Sequence, residues 1–160
     1  MDTELNAVAG DTGLAGGTGP GKHPFAARPI SIAEVAASSN AGEEFTFKLA
    51  EFLDTFYGHL RHGRRDDAQS AIDDEPEALA DHRMHAYLAG TAEHLARRWL
   101  LPRIPLWTNA PSRFLKEPFF PAENAIAKAL YFVDSPIAFR RRLIFVEAQP
   151  LRRATMPVRA

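Results

Sequence analysis

The chain has 160 residues, 46% of them apolar and 10% aromatic, with a formal net charge of −1. That length suits one domain, and the apolar share is too high for wholesale disorder. There is no cysteine, which excludes a disulfide frame, a thiolate metal site and a thiol nucleophile.

The longest apolar runs, such as LIFV at residues 143–146, fall far short of the roughly 20 residues a membrane span needs. The N-terminus lacks the basic start and apolar core of a secretory signal. The expectation is a soluble cytoplasmic protein with no membrane contact. The near-neutral total conceals an asymmetry. Residues 1–57 carry 3 basic and 8 acidic side chains, 58–100 carry 6 and 8, and 101–160 carry 10 and 4. Arg140, Arg141, Arg142, Arg152, Arg153 and Arg159 make up most of the C-terminal excess. Such polarity suits an acidic partner or nucleic acid, or is satisfied internally by the acidic N-terminal half.

In chain order, residues 1–29 are rich in Gly, Thr and Ala without a lasting period, and read as a flexible N-terminal tail. Within them GGTGPGKH, residues 16–23, matches the phosphate-binding string G-x-x-x-x-G-K-[ST] except at His23. No apolar strand precedes it and Pro24 follows where a helix should rise, so no nucleotide loop is expected. Ser31 and Glu34 form a capping box for a short helix to about residue 38, which residues 39–42 break. From Glu43 the residues Phe45, Leu49, Phe52, Leu53, Phe56 and Leu60 recur at helical spacing, with Gly63 as the stop.

Residues 64–76 are heavily charged and read as a solvated connection containing a helical turn. Pro76 then suits the first turn of a helix over residues 77–100, with Met84, Leu88, Thr91, Leu95 and Trp99 on one stripe. Small residues at 86, 89, 90 and 92 allow a second helix to come close. Residues 101–121, LPRIPLWTNAPSRFLKEPFFP, hold five prolines, too many for a long helix, interleaved with bulky apolar side chains. This proline–aromatic strap must lie across something apolar, either the chain's own helices or another protein. Residues 122–133 predict a third main helix with Ile126, Leu130 and Val133 inward. Ser135-Pro136 starts a short helix through the arginine triplet. An extended reading of residues 143–146 would need a strand from another chain or would stay irregular.

The expected fold is therefore all-α. It has three main helices over residues 30–154, the irregular strap, and tails at residues 1–29 and 155–160. For chemistry, His59/His62 and His82/His85 are i, i+3 pairs that could share a metal, with His94 beyond them and Asp81 or Glu93 as oxygen donors. They lie at helix ends among charges with no known zinc spacing, so no metal ligand and no cofactor are expected. Asp66, Asp67, Asp73, Asp74, Glu75 and Glu77 form a solvated acidic run rather than a dry acid–base pair. No G-x-S-x-G is present. The best candidates are partner-binding residues: Trp107, Phe114, Phe119 and Phe120 of the strap as aromatic anchors, with Arg140, Arg141 and Arg142 beside them.

Two stretches, RFLKEPFFPA (residues 113–122) and SPIAFRRRLIFVEAQPLRRA (residues 135–154), resemble segments of small uncharacterised bacterial proteins encoded beside nucleotidyltransferase-like, toxin–antitoxin-type partners. The resemblance covers about the C-terminal third and carries no catalytic motif. It implies a binding protein, and in its finer form the neutralising, antitoxin-like half of a pair. The leading expectation is thus a non-catalytic protein-binding module. A nucleic-acid-binding regulator using the C-terminal arginines and a small metal-dependent enzyme using the histidine pairs are the alternatives. The sequence sets no oligomeric state.

Overall fold

The computed structural model describes residues 27–158. The expected N-terminal tail as far as residue 26, with its glycine-rich GGTGPGKH string, lies outside them. Among the described residues the fold is all-α, six helices with two short 3-10 turns and no strand. None of these helices is long and apolar enough to cross a membrane.

Helix α1 (Ile32–Asn40) is capped by the Ser31 hydroxyl oxygen, which accepts the Glu34 N–H. Glu34 reaches one residue beyond the usual box, to the Ile30 N–H at 2.7 Å. The helix runs two residues past its expected end, and Gly42, at φ +97°, reverses the chain. Helix α2 (Phe45–Arg61) starts at Glu44, whose carboxylate accepts from the Thr46 and Phe47 N–H groups. Its expected apolar stripe is buried from Phe45 to Phe56. Tyr57, outside that stripe, is also enclosed, and its hydroxyl donates to the Leu151 carbonyl at 2.7 Å. Gly63 at φ +70° ends the helix, letting the Arg64 N–H turn back to the His59 carbonyl.

The charged connection is a correction. Residues Arg65–Asp73 form a nine-residue helix, α3, that buries Ala68, Gln69, Ala71 and Ile72. Its charges occupy the first turn and outer face, while the small apolar strip at i, i+3, i+4 is too narrow to dominate the pattern. Helix α4 (His82–Arg98) begins later than expected, capped by Asp81 rather than led by Pro76. Leu88, Thr91 and Leu95 of its stripe are buried.

The strap has two 3-10 turns, Leu106–Asn109 and Pro111–Arg113. Helix α5 (Ala125–Asp134) follows, capped by the Asn124 side chain, then the four-residue α6 (Ile137–Arg140). Phe139 of α6 drops onto Gly90 of α4, where a Cβ would meet its ring at 2.8 and 2.9 Å. The small residues of α4 thus serve the close approach their composition predicts.

Leu143, at φ +60°, closes the turn after α6, and the pairing of the segment that follows it, residues 144–146, is a second correction. The Phe119 N–H donates to the Leu143 carbonyl at 2.8 Å, and the Phe145 N–H donates back to Phe119 at 2.9 Å. This parallel bridge joins Phe119 to Ile144, so the strap supplies the partner that a lone extended segment lacks. The C-terminal segment is held down too. Arg153 and Thr155 both donate to Asp54, and Met156 packs against the core.

Candidate functional site

Three of the strap's four rings rest under this chain's own arginines, and the fourth stacks on Phe145. Trp107 is buried, its indole N–H donating to the Ile72 carbonyl at 3.1 Å, with the Arg113 guanidinium 5.0 Å from the ring centre. Phe114 is half-buried beneath Arg142 at 4.8 Å and Arg141 at 5.3 Å. Phe119 lies under Arg83 at 4.7 Å. Phe120 stacks on Phe145, ring centres 4.8 Å apart. Each cation–ring contact contributes about 0.5–2 kcal/mol, most where water is excluded. Two oddities of the sequence, surplus rings and surplus guanidiniums, answer each other within one molecule.

Arg142 is the fixed point of that arrangement. Fully buried, it donates to Glu93 and, at 2.6 Å each, to the Ala138 and Thr108 carbonyls. It thereby ties α4, α6 and the strap together. Glu93 is equally buried and also receives Arg97 at 2.9 Å and Arg141 at 3.1 Å. Burial alone would raise the Glu93 carboxyl; the hydrogen bonds and charges of Arg142, Arg97 and Arg141 outweigh it and hold the group below its usual range. Arg141 also donates to Asn109 at 3.0 Å. Arg140, on the surface, donates to the Val133 carbonyl at the end of α5.

Trp107 and Arg142, expected at a partner interface, are therefore interior residues. Arg141 and the rings of Phe114, Phe119 and Phe120 are turned chiefly to their own chain. The sequence reading missed Glu93 and Arg113 as buried partners. An acid on the small-residue face of a helix, and an arginine six residues from a tryptophan, were the available signals.

One arrangement has the outline of catalysis. Ser112 Oγ lies 3.2 Å from His85 Nε2, beside a cleft of about 430 Å³ between α4 and the strap. The proton, however, points the wrong way. Arg113 donates to His85 Nδ1 at 3.0 Å, and the Leu79 N–H faces the same atom at 3.4 Å. With Nδ1 held as the acceptor, the neutral ring carries its hydrogen on Nε2 and donates to Ser112. A general base needs a lone pair there. Burial first, and the Arg113 charge second, hold the His85 pKa below 6.5, which keeps the ring neutral. The cluster is a strut between the strap and the start of α4.

The remaining histidines are dispersed in role. His62 Nδ1 lies 2.8 Å from the Gly58 carbonyl, and the His94 ring packs 5.7 Å from Phe139. Among the described residues no three His, Asp or Glu side chains gather as a metal ion requires. Of the acidic run, Asp73 pairs with Arg103, and Glu77 accepts from Asn40 at 2.8 Å.

Among the described residues, the helix that folding leaves least explained is α5. The stripe expected to face inward faces water. Ile126 is 77% exposed, Leu130 56% and Val133 69%, and no residue of this helix is buried. Periodicity locates an apolar stripe but does not say which body covers it. Here the Phe120–Phe145 stack meets only the flank of the helix, through Phe132, whose ring centre is 5.2 Å from that of Phe145. The C-terminal end is pinned by Ser135, which bonds to the Tyr131 and Val146 carbonyls and accepts the Val146 N–H. No protein-family model, curated protein or solved structure matches the chain.

Proposed function

We propose that this chain is a non-catalytic protein-binding module that meets its partner through α5 rather than through the strap. The observation that carries the reading is the outward stripe Ile126, Leu130 and Val133 on a helix with no buried residue. Helices of water-soluble domains ordinarily turn such a stripe to a core, and an exposed apolar face of this kind marks a contact surface. The reading keeps the expected function class and moves its site.

The alternatives draw less support. A nucleic-acid surface wants unpaired basic side chains with stacking aromatics, whereas Arg142 is buried and Arg141 and Arg153 are paired with acids. A metal-dependent enzyme lacks a gathered ligand set among the described residues. In its finer form the partner is a nucleotidyltransferase-like toxin, as the resemblance of residues 113–122 and 135–154 implies, met in the cytoplasm. Relief of such a neighbour's toxicity by co-expression tests that form.

The binding reading is tested by a photo-crosslinking phenylalanine placed at Leu130 in cells of the source organism, with Lys116 as the exposed control position. A discrete protein adduct at 130 and none at 116 is the expected result. A side chain at 130 that stays free in the cell overturns it.

A further inference from the structure

We propose that His85 is an acid-sensitive latch: a proton added at Nδ1 frees the middle of the strap, residues 110–118, from α4 while both ends of the strap stay tied. The device lies apart from α5 and does not depend on what that helix meets.

The tethers set the limits of the movement. On one side Arg141 holds the Asn109 side chain at 3.0 Å and Arg142 holds the Thr108 carbonyl at 2.6 Å. On the other, Phe119 is bridged to the segment after α6. Between these anchors, among the described residues, every hydrogen bond from the strap to α4 ends on His85. Ser112 Oγ meets Nε2 at 3.2 Å, and Arg113 Nη1 reaches Nδ1 at 3.0 Å and the His85 carbonyl at 3.1 Å. Away from α4, Arg113 also holds the Pro76 carbonyl at 2.7 Å, and the Leu115 N–H reaches the Arg142 carbonyl at 3.4 Å.

The two ring nitrogens differ in what a proton does to them. Nε2 already carries hydrogen and donates to Ser112, so that bond survives protonation. Nδ1 is the acceptor for Arg113 and faces the Leu79 N–H at 3.4 Å. A hydrogen there would point at two other donors and break the Arg113 bond, with no lone pair left to receive it.

Charge acts in the same direction. Protonation sets an imidazolium against a guanidinium 3.0 Å away, with the His85 and Arg113 side chains almost wholly out of water. The charged groups around the ring are Arg113 from the strap, His82 and Asp81 from the start of α4, and Glu75 from the connection before it. Asp81 is engaged with the Arg83 N–H at 2.8 Å. Glu75 favours the proton, but its side chain is 61% exposed and 3.9 Å from Arg113. Burial, Arg113 and His82 outweigh it and hold the ring below its ordinary 6.5. Once freed, the ring regains its ordinary affinity for a proton. Opening is therefore favoured as pH falls below 6.5, and the gain stops below the pKa of the latched ring.

Amide exchange of the purified full chain, followed by NMR from pH 7.5 to 5 and corrected for intrinsic rates, tests this. Protection of the Arg113 and Leu115 N–H groups should fall below pH 6.5, by up to about tenfold per unit, because opening takes up one proton. Phe119 at the anchor and Leu88 inside α4 should stay better protected at every pH, which marks the opening as local. His85→Asn sets an amide oxygen near the place of Nδ1 and cannot be protonated, so strap protection should lose most of its pH dependence. In the wild type above pH 7, ring nitrogen shifts should show hydrogen on Nε2 of His85; hydrogen on Nδ1 overturns the latch whether or not the variant folds. Strap protection that does not change with pH, an equal fall in His85→Asn, or exchange of Leu88 in step with Arg113 also overturns it.

Discussion

Glu93 and Arg142, 49 residues apart in sequence, form a hydrogen-bonded ion pair with neither side chain open to water. The pair joins α4 to the corner where α6 ends and the extended segment begins, and the same guanidinium holds the strap through Thr108. A long irregular segment needs such a tether, because it has no helix ladder of its own.

Glu93→Gln should therefore destabilise the fold by about 3–5 kcal/mol, since it leaves a buried guanidinium without its counter-charge. Removing both charges, as Glu93→Leu with Arg142→Met, should recover most of that loss. Urea unfolding followed by circular dichroism measures both. A loss below about 1 kcal/mol for Glu93→Gln would contradict a buried, tethering pair.

The crossing of α4 and α6 gives a paired prediction from two glycines. Gly90→Ala should cost about 1–3 kcal/mol, because the new methyl meets the enclosed Phe139 ring below 3 Å. Gly58→Ala, inside α2 with nothing within 4 Å of the added carbon, should stabilise by about 0.5–1 kcal/mol through helix propensity alone. Equal effects of the two changes would mean that α6 does not sit on α4 as described.

Stability should fall as pH drops from about 6.5 toward about 4. Burial first, and Arg98 second, hold the His94 pKa at about 4 against an ordinary 6.5. The folded value is the lower one, so the unfolded chain binds the proton first; the contribution is complete above 6.5 and is lost as pH falls through that window. His85 and His59 shift in the same direction, each mainly through burial. Urea midpoints at pH 7.5, 6, 5 and 4 should decline for the wild type and decline less for His94→Leu. An identical decline in the two proteins would remove His94 as a contributor.

Much of the helical frame was legible. Ser31, Gly63 and the spacing from Phe45 to Phe56 each name a local physical event, a cap, a stop or a buried face, and each is found in place. The failures lie where the outcome depends on distant residues. Helix α3 was hidden because Ala68, Ala71 and Ile72 are few and small beside the acids around them. Ile126, Leu130 and Val133 were found as a stripe but turned the wrong way, since spacing carries no information about which neighbour arrives. The strap rings and the arginines were each noticed as a surplus, and nothing local says that Phe114 lies under Arg142 or Trp107 under Arg113. Their mutual satisfaction draws the expected site off the strap and leaves α5, among the described residues, as the helix with no buried side chain.

The most direct measurement of that central claim uses the absence of cysteine from the chain. Leu130→Cys places a single thiol at the middle of the outward stripe. In cells of the source organism a membrane-permeant maleimide should label it much more slowly than in the dilute purified chain, because the partner covers it, while Phe47→Cys on the exposed side of α2 should react equally fast in both. Equal labelling of Leu130→Cys in cells and in the purified chain would contradict a partner on α5.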